Sequence, residues 1–79
     1  MNSAFDRRAP NLDTTQPGIR QIQDWIRHST AVRLMLNNGH ELEGQLRWQD
    51  LRYFALTAED SHPITLINRE SVALIRPLL

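Results

Sequence analysis

An Asn-Gly pair, Asn38-Gly39, sits between two stretches in which apolar and polar residues alternate, and it constrains the fold of this chain more than any other feature. Val32, Leu34 and Leu36 precede the pair; Leu42, Leu46 and Trp48 follow it. A period of two places these side chains on one face of a strand, and Asn-Gly tolerates positive φ at both central positions of a type I′ turn, so the stretch predicts a β-hairpin. Gly44 falls in the middle of the second strand, where it provides no side chain. A glycine there lets the strand bend sharply or lets another backbone approach closely. Strong bending is how a small sheet curls into a barrel.

The flanking segments complete the outline. Ile19, Ile22, Trp25 and Ile26 share one helical face opposite Arg20, Gln21, Gln23, Asp24 and Arg27, which predicts an amphipathic helix over about 18–28. Thr14 or Thr15 is placed to cap it, with Pro17 in the first turn, where a missing N–H costs nothing. Residues 1–16 show no periodicity and are expected to form a flexible N-terminal tail. The domain then spans 17–79, with strands expected at about 31–37, 40–50, 52–58, 64–67 and 72–76, and turn chemistry at Glu59-Asp60-Ser61-His62-Pro63. Trp25 and Trp48 stand at core spacing, and Trp48 is expected beneath the helix or at a subunit boundary. One helix followed by five short strands suggests a mainly β fold, a bent antiparallel SH3-like barrel. Its last two strands are left as edges, which invite pairing with another copy. Repeated head-to-tail pairing gives a ring if the rotation closes.

Size and composition narrow the function classes. A chain of 79 residues with 41% hydrophobic content buries only about 60% of the surface its unfolded form exposes. It has no cysteine and no His/Asp/Glu set with zinc spacing, so oligomerisation is the remaining support for a small core. His28, His40 and His62 are scattered, and no metal or other cofactor is expected. No nucleophile has a base beside it, no acid and base pair stands out, and Gly39 and Gly44 do not make a phosphate loop, so an enzyme is not expected. Asp50 reads as a turn residue that hydrogen-bonds backbone. No apolar run approaches a membrane span and the N-terminus lacks a signal-peptide pattern, which predicts a soluble cytoplasmic protein without membrane insertion. Formal net charge is zero, against a protein that grips nucleic acid by bulk positive charge alone. All nine basic residues are arginine, a residue suited to phosphate contact and base stacking, although codon usage explains that composition as well.

The helix, the apolar alternation into Asn37-Asn38-Gly39, the run Leu42-x-Gly44-x-Leu46 and Asp50 together resemble the first motif of the bacterial Sm-like proteins, the Hfq family. Arg20-Gln21-Ile22-Gln23, Trp48-Gln49-Asp50 and Thr65-Leu66-Ile67-Asn68-Arg69 are similar to the divergent branch of that family found in photosynthetic bacteria. The match covers about residues 17–77. The resemblance implies a homohexameric ring, closed by strand four of one subunit pairing with strand five of the next. It further implies RNA binding in post-transcriptional regulation, with no DNA preference. Three RNA surfaces come with it: a proximal face for uridine-rich RNA, a distal face for adenine-rich RNA and a basic rim.

Carried over residue by residue, these surfaces are altered. At the proximal pore the family's Tyr-Lys-His motif falls on Asn68, Arg69 and Glu70. The base-stacking aromatic falls on Arg52, with Leu51 where a glutamine stands. Arg69 can donate to a phosphate or base and Arg52 can stack, whereas Glu70 brings negative charge; the alternative is that Arg69 and Glu70 cap the turn and pair with a neighbouring subunit. On the distal face Gly39 and Leu42 match, but Met35 replaces the tyrosine that stacks on adenine, and Glu41 and Glu43 replace lysine and glutamine. Two outward glutamates per subunit imply an acidic annulus, which suits protein docking or plain solvation better than RNA. The rim retains Arg27 and Arg20, with His28 beside them; Arg33 and Arg47 add positive charge if they point outward. A second reading is therefore a ring scaffold that mainly binds a protein partner, such as a pilus-associated motor ATPase, with RNA secondary or absent.

Overall fold

The computed structural model describes residues 12–58 and 63–78. Most of the expected tail and the Glu59–His62 turn lie outside the described residues. Helix α1 (Pro17–Arg27) starts from an extended Gln16 without a side-chain cap. The two threonines do not cap it: both the backbone N–H and the hydroxyl of Thr15 donate to Asp13 Oδ1, at 2.9 and 2.6 Å. Pro17 occupies the first turn, where its missing donor is harmless. Past Arg27 the helix ends as Ser29 takes a left-handed φ of 53°, and the Thr30 N–H closes back on the Trp25 carbonyl.

Five strands follow: β1 (Ala31–Leu36), β2 (Glu41–Gln49), β3 (Tyr53–Thr57), β4 (Thr65–Asn68) and β5 (Val72–Pro77), with a 3-10 turn over Arg69–Ser71 between the last two. They form one antiparallel sheet in the order β4-β3-β2-β1-β5, which leaves β4 and β5 at the edges. The core is Val32, Leu34, Leu46, Phe54, Leu56 and Ile67, covered by Ile22, Trp25 and Ile26 of α1. Fully burying a side chain such as Leu34 or Leu46 stabilises the fold by roughly 1.5–3 kcal/mol.

Three local features depart from the turn type, the facing and the site placement expected from the sequence. The hairpin turn is not type I′: only Gly39 has positive φ (91°), while Asn38 does not. The Gly39 N–H donates to the Leu36 carbonyl at 2.9 Å, and the His40 N–H donates to the Asn38 side chain at 3.0 Å. The result is a three-residue loop with glycine at the left-handed position. The polar Asn38 side chain stabilises this alternative by bonding its own backbone two residues on.

The second departure concerns Trp48. Pairing of β2 with β3 shifts between Leu46, opposite Leu56, and Trp48, opposite Ala55. This bulge, centred on Arg47, reverses the facing of all that follows it. Trp48 is 40% exposed, which overturns the place beneath the helix and leaves the subunit boundary as the other expectation, and Gln49 takes the inward place. The third concerns Leu42, expected on the distal face; it pairs with Leu34 and packs against the core. Gly44 does permit close approach. A Cβ there would stand 2.9 Å from the Thr57 carbonyl carbon and closer still to its oxygen.

Candidate nucleic-acid interface

The interior side chain that the bulge turns inward, Gln49, organises the corner where α1, the β2–β3 turn and the 3-10 turn meet. Its Nε2 donates to Gln23 Oε1 at 2.8 Å and to the Ile19 carbonyl at 3.3 Å, both on α1. Its Oε1 accepts from Arg69 Nη1 at 2.9 Å. Arg69 Nη1 also reaches the Asp50 carbonyl at 3.1 Å, and its guanidinium lies 4.2 Å from the centroid of the Phe54 ring. Half-buried, this guanidinium has its pKa lowered by desolvation, partly opposed by the Asp50 carboxylate. Arg69 is thus drawn into the fold as a strut.

Asp50 builds the β2–β3 turn: one carboxylate oxygen accepts the backbone N–H groups of Arg52 and Tyr53, at 2.9 and 2.7 Å. Asn68 builds the other turn by accepting the Glu70 N–H on its side-chain oxygen at 2.8 Å. The two turns are tied by the Arg69 N–H, which donates to the Arg52 carbonyl at 2.8 Å. Between them opens a depression of about 380 Å³ lined by Leu51, Arg52, Asn68 and Glu70. Three of the four proximal residues named from the sequence are brought together here, and the fourth, Arg69, is not among the lining.

The rim and distal residues fall on two other surfaces. Arg20, Gln23, Asp24 and Arg27 line a second depression along α1 with Thr14. Asp24 ion-pairs with Arg27, and its backbone carbonyl meets His28 Nδ1 at 2.8 Å, so this rim presents less free positive charge than its arginines suggest. On the outer face, cross-strand register sets Glu43, Arg33 and Arg76 in one row and Glu41, Met35 and Leu74 in the next. Arg33 Nε donates to Glu43 Oε2 at 2.7 Å and lies 3.8 Å from Glu41. Its pKa is raised by the hydrogen bond it donates to Glu43 and by the charge of both carboxylates. Arg33 therefore offsets one of the two negative charges that Glu41 and Glu43 bring to this face.

Two contributors escaped the sequence reading. Gln49 became visible only once the bulge was known, because strict alternation points it outward. Asn37, whose Nδ2 donates to the Glu70 carbonyl at 2.8 Å, carried no signal beyond its place beside the turn.

A family model described as Hfq related matches residues 16–77. This chain belongs to the Hfq-related family. No curated protein matches it in sequence. The crystal structure of an Hfq protein from Anabaena sp. is similar over 78% of this chain and 97% of that one, at 27% identity and a TM-score of 0.70. The crystal structure of a second Hfq, described as a pleiotropic translational regulator, is similar over 85% and 98% of the two chains with a TM-score of 0.73. At 13% identity it bears on the fold alone. The helix followed by a five-stranded antiparallel sheet is the Sm-like fold of Hfq.

Proposed function

We propose that this Hfq-related protein assembles through its edge strands β4 and β5 into a homohexameric ring that binds single-stranded RNA and acts in post-transcriptional regulation in the cytoplasm. The observation that carries RNA binding is the depression between the Asp50–Arg52 and Asn68–Glu70 turns, where an exposed arginine, an amide and an apolar side chain converge on one opening. Arg52 supplies a guanidinium for a phosphate or a base face, and Leu51 supplies an apolar flank. Arg69 supports the site from behind rather than contacting RNA. Arg20 and Arg27 add backbone contacts at the rim. Uridine-rich RNA is the ligand the family resemblance implies.

Fluorescence anisotropy with labelled oligo-U and oligo-A tests this. Binding of oligo-U that weakens as salt rises is expected, and Arg52→Ala should lower the affinity and reduce the salt slope by about 1. Failure of both oligomers to bind at concentrations on the order of 100 µM, the weak end of non-specific binding, refutes binding of uridine-rich or adenine-rich RNA. A second reading, docking of a protein partner, draws on the outer face, where Leu74 is 42% exposed beside Met35 and paired charges. Because Arg33 offsets one of the two glutamates, that face offers a partner one net negative charge beside its apolar side chains.

A further inference from the structure

We infer that the depression between the two turns recognises guanine, with the Glu70 carboxylate accepting from the base edge; this rests on the RNA-binding reading above. Glu70 is held through both of its backbone polar groups. Its N–H donates to Asn68 Oδ1 and its carbonyl accepts from Asn37 Nδ2, each at 2.8 Å, so its side chain leaves the backbone from a fixed point, and the residue lines the opening. Asn68 has its oxygen committed to that bond, which leaves its amide N–H groups to offer. Arg52 has its backbone fixed on both sides as well, its N–H by Asp50 Oδ1 and its carbonyl by the Arg69 N–H, and its guanidinium is a donor only. The opening therefore presents donors from Arg52 and Asn68 around one acidic acceptor.

Base chemistry selects among possible occupants. Uracil has a single N–H, flanked by carbonyl oxygens that a carboxylate repels. Adenine and cytosine have one exocyclic amine next to a ring nitrogen that accepts. Guanine alone among the four RNA bases sets two neighbouring N–H groups, N1–H and the N2 amine, against a carboxylate, while O6 and N7 remain for an arginine. Electrostatics reinforces the point. With Arg69 withdrawn to Gln49 and Asp50, the charges of Arg52 and Glu70 offset one another in the opening, so charge does little to choose among RNA sequences and the base edge decides.

The test is anisotropy with four labelled RNA hexamers: alternating uridine–guanosine, alternating uridine–inosine, alternating uridine–adenosine, and all-uridine. The guanosine hexamer is expected to bind on the order of tenfold to a hundredfold more tightly than all-uridine. The inosine hexamer, which lacks the N2 amine, should fall between them. Glu70→Gln, a change at an exposed side chain that keeps the backbone bonds, should erase most of the ratio while far-UV circular dichroism stays unchanged. All-uridine binding as tightly as the guanosine hexamer, or a ratio that survives Glu70→Gln, overturns the guanine assignment and leaves RNA binding standing. Failure of all four hexamers to bind overturns RNA binding itself and the assignment with it.

Discussion

Arg69 and Arg33 both hold more than one acceptor, yet the physics around them is opposite. Arg69 is half-buried, stacked on Phe54, and gives one nitrogen to two neutral oxygens, Gln49 Oε1 and the Asp50 carbonyl. Arg33 lies on the outer face among carboxylates, bonded to Glu43 and close to Glu41. Desolvation lowers the pKa of the first and negative neighbours raise that of the second. Neither cation is free for a phosphate, the one because the fold has absorbed it and the other because its own sheet has neutralised it. Counting nine arginines therefore overstates what this surface offers to RNA. The two should also differ in what they contribute to stability, since the bonds of Arg69 lie in a part-buried corner and their loss strands acceptors, whereas Arg33 pairs with exposed carboxylates that trade readily with water.

The largest effect separating the two regions is expected from Arg69→Ala, which removes the stack and leaves Gln49 Oε1 without its donor. A loss of about 2–3 kcal/mol is expected in urea unfolding, read at one fixed protein concentration because assembly contributes to apparent stability. Arg69→Lys should recover less than half of it, since an ammonium can donate but cannot lie flat on Phe54. A loss for Arg69→Ala no larger than that of an exposed arginine would erase the contrast. Next in size is Gln49→Ala, about 1–2 kcal/mol, from the bonds to Ile19, Gln23 and Arg69. Because Gln49 and Arg69 share a bond, the double variant should cost less than the two single losses added together. Additive losses would mean that each supports the corner separately.

That corner also marks how far the sequence could be read. The order of helix and strands was legible because long apolar periodicities survive local irregularity: Val32, Leu34 and Leu46 lie in the core where alternation puts them. What was not legible followed from a single inserted residue. The bulge at Arg47 exchanges Trp48 and Gln49 between faces, and no periodicity argument anticipates a step of one. The turn between β1 and β2 was located correctly but given the wrong type, because Asn38 can satisfy a turn either by taking positive φ or by bonding its own backbone, and it does the latter. Of the residues placed at the proximal pore from the family motif, Arg52, Asn68 and Glu70 line one depression, whereas Arg69 bonds Gln49, a contact that the alternative of a turn-capping Arg69 did not specify. The outer glutamates are exposed, as read, but the pairing of Arg33 with Glu43 is a cross-strand relation fixed by register.

A smaller effect is expected at Arg33. In a double-mutant cycle of Arg33→Ala with Glu43→Ala, the coupling should be barely measurable at low salt and should vanish near 1 M salt, where screening acts over about 3 Å. The corresponding cycle between Arg69 and Gln49 should be unaffected by salt, because Gln49 is neutral. Salt-independent coupling at Arg33 would place that pair in the same regime as the buried corner.

The smallest effect tests whether exposure alone makes a charged group unimportant. Asp13 is exposed, but its partners are near in sequence: the Thr15 hydroxyl and then the Thr15 N–H hold its carboxyl below the usual 3.8. A lowered value means that the ionised form favours the folded turn. Its contribution is complete above the unfolded value and is lost as pH falls through the folded one. The Thr15 amide proton, followed by NMR across the acid range, should therefore titrate with a midpoint below 3.8, and Asp13→Asn should abolish the titration. A midpoint at or above 3.8 would mean that solvent competes away even a bond to backbone, and that burial alone separates Arg69 from Arg33. A lowered midpoint would instead show that a rigid partner suffices, and that Arg33 contributes little because its partners are themselves mobile side chains in water.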